Sequence, residues 1–367
     1  MPQEAPAHRR QRRGRNMGLF ELTEEDVAAA KSKLVSAAFR MGVGSLFYPI
    51  NYAKVLIQLG YEPMPLKKSK LLWIIGPEVN YLPNGFAYAK YIRRRDGFFG
   101  CFNGLGANLC GNAFGFVGSL ITSFYLDRQY PGLRSPEDEH VRCEEVKLFR
   151  RMCGMAARES VCKTVGTIAA RPFQVIMIRK MAQFIGRETQ YTSVPASFLF
   201  ILREEGITGL FCGLSTQLVF ELGTVWGSHI WNYAIDRLGR LLAPYINEEE
   251  EGEEGAKEEK EKEGGEEEED VIPRKSELMV YSKLVVPYFV NALVYPYQLV
   301  STIMAVNGTS LLAGHLPHIA EFTDWQACWS YLDARHELKR GSKMFLRNYT
   351  GPIEYRQGEK YARTTAY

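Results

Sequence analysis

Pro172-Phe173-Gln174 sits in the middle of a long apolar run, Met155 to Ile185. The same pattern returns as Pro296-Tyr297-Gln298 within Tyr281 to Val306, and an equivalent, Pro49-Ile50-Asn51, lies within Leu34 to Leu59. The three prolines lie 123 and 124 residues apart, and repetition on this scale means a chain built from three related units. A proline inside an apolar helix kinks it and frees a carbonyl, which is tolerable only where a neighbouring helix or a wet cavity satisfies that oxygen. Three kinked helices at equal spacing predict an all-α membrane protein, a three-fold bundle around a central cavity.

A second element follows each proline. Asp96-Gly97 leads to Phe102-Asn103-Gly104, Glu205-Gly206 leads to Phe211-Cys212-Gly213, and a worn third copy runs from Arg340-Gly341 to Leu346-Arg347-Asn348. The paired elements, from about Leu34 to Asn348, resemble the repeats of the mitochondrial carrier family. There an acid and a base after each proline close three salt bridges beneath the cavity, a gate that opens and shuts during transport. In this chain the acid positions hold Asn51, Gln174 and Gln298, and the base positions hold Lys54, Met177 and Ser301. No acid is left to pair with Lys54, which then needs other hydrogen bonds or water. The resemblance therefore implies a carrier-like bundle whose gate has been dismantled.

The chain also departs from that pattern at its end. Apolar stretches follow the first two copies, Gly104 to Leu126 and Gly213 to Leu238, but after Arg347 only twenty residues remain, beginning Asn-Tyr-Thr-Gly-Pro and continuing polar. A spanning helix needs roughly 20 mostly apolar residues, so the sixth helix is missing. Five spans are expected, centred near 46, 115, 170, 225 and 292, in a horseshoe whose polar interior opens sideways to lipid. The organisation this predicts is a basic N-terminal tail (1–30), repeat 1 (31–130), repeat 2 (131–246), an acidic loop (247–275), a truncated repeat 3 (276–350) and a polar C-terminal tail (351–367).

Composition agrees once charge is located. A charged fraction of 24% and a mean hydropathy of −0.21 suggest a soluble protein. Yet residues 248–270 hold fifteen Asp or Glu and three Lys, so the remainder of a chain at +3 carries +15. Blocks of like charge repel and stay solvated, so 247–275 reads as a disordered loop. The N-terminal run His8-Arg9-Arg10-Gln11-Arg12-Arg13-Gly14-Arg15 reads as a tail that touches anionic lipid or sets topology, rather than a cleaved leader or a nucleic-acid arm. Seven cysteines without a C-x-x-C pair support neither a disulfide framework nor a zinc site. His315 and His318 lack nearby cysteine or acid partners, so no metal is expected. No nucleophile elbow, phosphate loop or dinucleotide fingerprint appears, and the chain reads as a non-enzyme without a cofactor.

Polar residues within the apolar stretches are the functional candidates, because ionisable groups at membrane depth are costly. They are Arg40 and Lys54 in the first stretch, Lys163, Arg171 and Arg179 in the third, Glu221, His229 and Asn232 in the fourth, and Asn291, Gln298 and Ser301 in the fifth. Arg40 and Arg179 lie near helix ends, where long side chains snorkel to the interface. Glu221 and His229, eight residues apart, share a helix face, and Asn232 extends the stripe. Gly223, Gly227 and Ser228 in the same helix favour close packing against a neighbour. Lys54, Arg171, Glu221, His229 and Asn232, with Tyr295 and Gln298 at the third kink, form the expected groove.

Three strings, residues 52–63 (Tyr-Ala-Lys-Val-Leu-Ile-Gln-Leu-Gly-Tyr-Glu-Pro), 183–188 (Gln-Phe-Ile-Gly-Arg-Glu) and 299–307 (Leu-Val-Ser-Thr-Ile-Met-Ala-Val-Asn), are similar to the mitochondrial carrier homologs. That resemblance implies a multi-pass protein of the outer mitochondrial membrane that inserts tail-anchored and other α-helical proteins, and that also serves as a docking site for a pro-apoptotic BH3-type protein. A lipid-open polar groove would hydrate the short tail of such a substrate while its apolar segment enters lipid sideways. The alternatives are a membrane scaffold that binds partners through 196–204 or the acidic loop, and a residual solute carrier, which the lost ion pairs and missing helix disfavour.

Overall fold

The computed structural model describes residues 24–70, 78–130, 145–261, 275–316 and 318–363. The described chain is mostly helical, and each of the five expected centres falls within a helix. They are α1 (Glu24–Leu46), α4 (Leu105–Gln129), α5 (Glu145–Gly186), α8 (Leu214–Glu261) and α9 (Lys275–Met304). Shorter helices fill the connections: α2 (Tyr48–Gln58), α3 (Gly85–Gly100), α6 (Val194–Glu204), α7 (Gly206–Leu210) and α10 (Trp325–Ala334). Among the described residues two stretches, Leu105–Gln129 and Leu148–Gly186, are long and apolar enough to cross a membrane. The helices at 46, 225 and 292 fall short of that measure. The polar residues singled out above, with Pro287 and Pro296 in α9, dilute their apolar character.

The three prolines act differently. Pro172 and Pro296 lie inside continuous helices, whereas Pro49 stands in the first turn of α2, after a break at Phe47 (φ −87°, ψ 6°). Proline is tolerated in a first turn because its missing N–H would have no helical partner there. The first apolar stretch is therefore two helices rather than one kinked helix.

Two further expectations are corrected. The acidic segment expected to be a loop over 247–275 begins as helix: α8 runs to Glu261 and α9 starts at Lys275, while 262–274 lie outside the described residues. Glu, Ala and Lys are strong helix formers, and that propensity prevails over the like-charge argument in 247–261. The N-terminal tail likewise gives way to α1 at Glu24, and the basic run at 8–15 lies outside the described residues.

Within the expected polar tail 351–367, the described residues fold as strands. β4 (Ile353–Arg356) and β5 (Glu359–Ala362) form an antiparallel hairpin around Gln357-Gly358, both with positive φ (50° and 81°), the backbone of a two-residue hairpin turn. Just before it, β3 (Asn348–Tyr349) adds to β2 (Glu78–Tyr81), which pairs antiparallel with β1 (Lys67–Lys70). No helix follows Arg347 among the described residues.

The chain divides into two compact units. The first takes residues up to Gly132, Val161–Phe220 and Tyr295 onward. Its core gathers Tyr48, Tyr52 and Leu56 of α2, Ile92 of α3, Val175 and Ile176 of α5, Leu299 and Ile303 of α9, and Leu332 of α10. Within it α4 and α5 meet through small residues: a Cβ on Gly115 would lie 3.1 Å from the Ala170 Cβ and the Gly166 carbonyl, and Ser119 donates to the Cys162 carbonyl at 3.0 Å. Small residues of this kind let apolar helices approach backbone to backbone. The second unit comprises Leu133–Ser160 and Glu221–Val294. There Gly223 and Gly227 pack on Val294 and Val290, as the small-residue pattern predicted.

A buried ion pair ties the end of the chain to its beginning. The Arg347 guanidinium donates to both Glu62 carboxylate oxygens and to the Pro83 carbonyl, and both charged side chains are almost wholly buried. Burial pushes the Glu62 carboxyl up, against the opposing pull of Arg347. Removing one partner of such a pair costs about 3–5 kcal/mol, because the other charge stays buried and uncompensated. Arg347→Ala should therefore lower the thermal midpoint of the purified protein sharply. Adding Glu62→Ala should restore part of it, and strictly additive losses would show that the pair is not coupled.

Candidate functional site: a polar layer at the kinked helix ends

In the first unit the candidate residues fall into two sets of contacts, one around Tyr295 and one around Arg171. The Lys54 Nζ lies over the Tyr295 ring, 5.4 Å from its centroid, a cation–π contact of the kind worth about 0.5–2 kcal/mol. The lone base of the former gate is thus held by an aromatic face. The Tyr295 hydroxyl accepts from Gln58 Nε2 at 2.9 Å and donates to the Arg340 carbonyl at 2.7 Å. Arg340 in turn donates from Nε and Nη2 to the Gln58 carbonyl at 3.1 and 2.7 Å. Tyr295, expected to plug a groove, is a buried joint linking α2, α9 and the Arg340-Gly341 turn. That turn needs its glycine: Gly341 has φ +78°, and a Cβ there would meet Gln58 at 2.9 Å.

Arg171, expected to line the groove, is 1% exposed. Its guanidinium donates to the Cys212 and Ser301 carbonyls. Ser301, at a former base position, donates from Oγ to the Gly213 carbonyl at 2.9 Å. Gly213 has φ +67°, and a Cβ on it would lie 2.7 Å from both Arg171 Nη2 and the Ser301 carbonyl. Side chains that formed charged pairs in the carrier pattern are here replaced by neutral or backbone-directed hydrogen bonds. Gln174, Met177 and Gln298 are half-buried in the same helices, and Thr302 Oγ1 donates to the Gln298 carbonyl.

Arg179 does not snorkel. It is wholly buried, forms a bidentate pair with Glu205 at 2.6 and 2.7 Å, and donates from Nε to the Ala305 carbonyl at 2.9 Å. Arg40, by contrast, is exposed on α1. Gln58 and Glu62 lie within the string 52–63, but their partners Tyr295 and Arg347 are 237 and 285 residues away, so spacing does not single them out.

The second unit holds Glu221, His229 and Asn232 on α8 and Asn291 on α9. His229 Nε2 meets Glu159 Oε2 of α5 at 2.9 Å. Thr224 Oγ1 lies 3.4 Å from Asn291 Oδ1. Glu221 is half-buried, and the Asn232 Oδ1 is buried without a hydrogen-bond partner. Glu221, His229 and Asn232 therefore do share one helix, and Glu159 joins them as an acid that sequence spacing could not have supplied. No cluster of three or more potential metal ligands occurs among the described residues.

No family model matches the chain. Over 307 residues it is 32% identical to mitochondrial carrier homolog 2 of Mus musculus, covering 83% of this chain and 91% of the relative. It is also 32% identical to mitochondrial carrier homolog 1 of Mus musculus over 321 residues, 87% of this chain and 77% of the relative. A more distant likeness, 27% over 146 residues and 38% of each chain, is to a mitochondrial pyrimidine nucleotide transporter of Saccharomyces cerevisiae.

The Tyr295 joint yields a direct test. Tyr295→Phe keeps the ring beneath Lys54 but deletes a hydroxyl that serves two buried partners, and should cost about 1–3 kcal/mol of stability. Adding Gln58→Leu removes the stranded donor and should return part of that loss, read as thermal midpoints of the two variants in detergent. A single variant as stable as the parent would count against the joint.

Proposed function

The chain belongs to the mitochondrial carrier homolog family, and from that premise we propose that it inserts α-helical proteins, tail-anchored ones foremost, into the outer mitochondrial membrane. The observation that carries the reading is the fate of the chain after Arg347: β3, β4 and β5 stand where the carrier pattern requires a sixth helix. A bundle without its closing helix is open to lipid on one side, and a substrate helix can leave sideways. Large apolar side chains such as Phe39 and Leu46 of α1, exposed by 73% and 77%, support a lipid surround.

Insertion requires a polar tail to pass about 30 Å of hydrocarbon. Lys54 and Gln298 in one unit, and Glu221, His229 and Asn232 in the other, are hydrogen-bonding groups set in otherwise apolar helices. No bond is made or broken, so the proposed activity is translocation rather than enzymatic catalysis. A solute carrier needs a gate that alternates, and the positions of that gate hold Asn51, Gln174 and Gln298 for the acids and Lys54, Met177 and Ser301 for the bases, so no ion pair can form. Docking of a BH3-type apoptotic partner is compatible with insertion and belongs to the same proposal.

Reconstitution decides between the classes. Purified protein in liposomes should accelerate acquisition of tail-anchored substrates and should not support solute uptake; the reverse result would restore the carrier reading. Lys54 supplies the sharper arm, because a cation attracts acidic tails and repels basic ones more strongly as the local dielectric falls. Lys54→Glu should shift preference toward positively charged tails, measured with substrates differing only in tail charge and normalised to protein in the membrane. An unchanged preference would remove Lys54 from the substrate path.

A further inference from the structure

The first unit contains a polar cavity of about 510 Å³ that lies away from Lys54, Arg171 and Tyr295. Its walls come from Arg95 and Asp96 at the end of α3, Asn103 in the following turn, Gln183 and Phe184 in the last turn of α5, and Arg187 and Glu188 just beyond. It therefore sits at helix ends rather than in their apolar middles.

Several of these groups are already committed. Arg95 donates to the Phe184 carbonyl at 2.7 Å and to the Tyr61 hydroxyl at 3.1 Å, and its guanidinium lies 4.0 Å from the Phe184 ring centroid. Gln183 exchanges hydrogen bonds with the Tyr191 backbone. Three charges keep unused capacity. Glu188 accepts from the Leu312 amide through Oε1 at 2.9 Å, while its Oε2 is buried without a partner. Asp96 lies 3.9 Å from Arg95 Nε, beyond hydrogen-bonding reach, and burial pushes its carboxyl up against the pull of Arg95 and Arg187. Arg187 is exposed and occupies a left-handed backbone position, φ 57°, an uncommon conformation for a non-glycine residue.

A buried carboxylate oxygen without a donor is expensive, and a ligand bearing N–H groups would relieve it. We propose that this cavity binds a small zwitterion, an ammonium directed at Glu188 and Asp96 joined to an anionic oxyacid group directed at Arg187. The balanced charges argue against a simple anion or cation, since either would leave one side of the cavity unpaired. The same chemistry is presented by a soluble phosphoethanolamine compound and by the headgroup of an aminophospholipid. The proposal is independent of insertion, and its test reads binding alone.

Full-length protein in detergent is titrated with glycerophosphoethanolamine, and separately with glycerol 3-phosphate and with ethanolamine. The whole zwitterion should bind at least about tenfold more tightly than either half, the scale of one charge-assisted hydrogen bond. Glu188→Gln keeps an acceptor for the Leu312 amide, and Arg187→Asn suits the left-handed backbone, so both variants should fold. Each should weaken binding of the zwitterion by about tenfold or more. Nanodiscs then identify the source: a higher thermal midpoint in phosphatidylethanolamine than in phosphatidylcholine, whose quaternary nitrogen has no N–H, assigns the site to lipid. Equal midpoints with retained binding of the free compound assign it to a soluble ligand. Affinity for either half equal to that for the whole, or unchanged binding in Glu188→Gln, overturns the proposal.

Discussion

The first unit depends on arginines, two wholly buried and two half-buried, that serve carbonyls near the carboxyl ends of helices. The last carbonyls of any helix have no partner within it, and in an apolar setting no water replaces one. Here guanidinium groups serve several of these carbonyls. Arg95 of α3 reaches the Phe184 carbonyl at the end of α5. Arg171 and Arg179 of α5 reach the Ser301 and Ala305 carbonyls at the end of α9. Arg340, beyond α9, returns to the Gln58 carbonyl that ends α2. Each of these three helix ends is tied to a side chain from elsewhere in the chain. A guanidinium suits the task because its planar fork can serve two acceptors at once and stays charged when buried.

This network gives physical meaning to the altered gate positions. A charged pair that opens and closes must be able to exchange partners, whereas the groups found here are already spent on fixed backbone oxygens. Ser301 donates to Gly213, Arg171 spans Cys212 and Ser301, and Arg340 with Tyr295 closes on Gln58. Each bond contributes about 1 kcal/mol net, but leaving one partner unsatisfied costs more, so the set resists piecemeal opening. The bidentate pair of Arg179 with Glu205 has the same static character, since its guanidinium also holds Ala305. Such an arrangement fits fixed packing better than an ion-pair gate that alternates.

The helices were legible because period and proline spacing are local properties of the chain. All five expected centres lie in helices, and the motif glycines Gly97, Gly206 and Gly341 all adopt positive φ, 79°, 71° and 78°. The break at Phe47 was not legible, since the first-turn preference of proline competes with its role as a kink, and sequence does not say which prevails. The hairpin at 353–362 left a signal that was passed over: Ile353-Glu354-Tyr355-Arg356 and Glu359-Lys360-Tyr361-Ala362 flank a Gln-Gly pair, and glycine readily takes the positive φ such a turn requires. Site residues fared unevenly for a different reason. Spacing along α8 places Glu221, His229 and Asn232 on one helix, but the partnership of His229 with Glu159, or of Arg347 with Glu62, joins residues 70 and 285 positions apart. Nothing local encodes such distances. An arginine in an apolar run was read as snorkelling when Arg179 was in fact fully committed inside.

The end of the chain follows from the same constraint. Beyond Arg347 the described chain still has to satisfy its backbone hydrogen-bonding groups. It does so by turning to strand pairing, β3 on β2 and β4 on β5, with the Leu66 amide donating to the Lys360 carbonyl at 2.7 Å. Arg347 then anchors this ending to Glu62 and Pro83, next to the start of the first hairpin. The described ending is thus tied to the first repeat by polar contacts that need no apolar spanning segment.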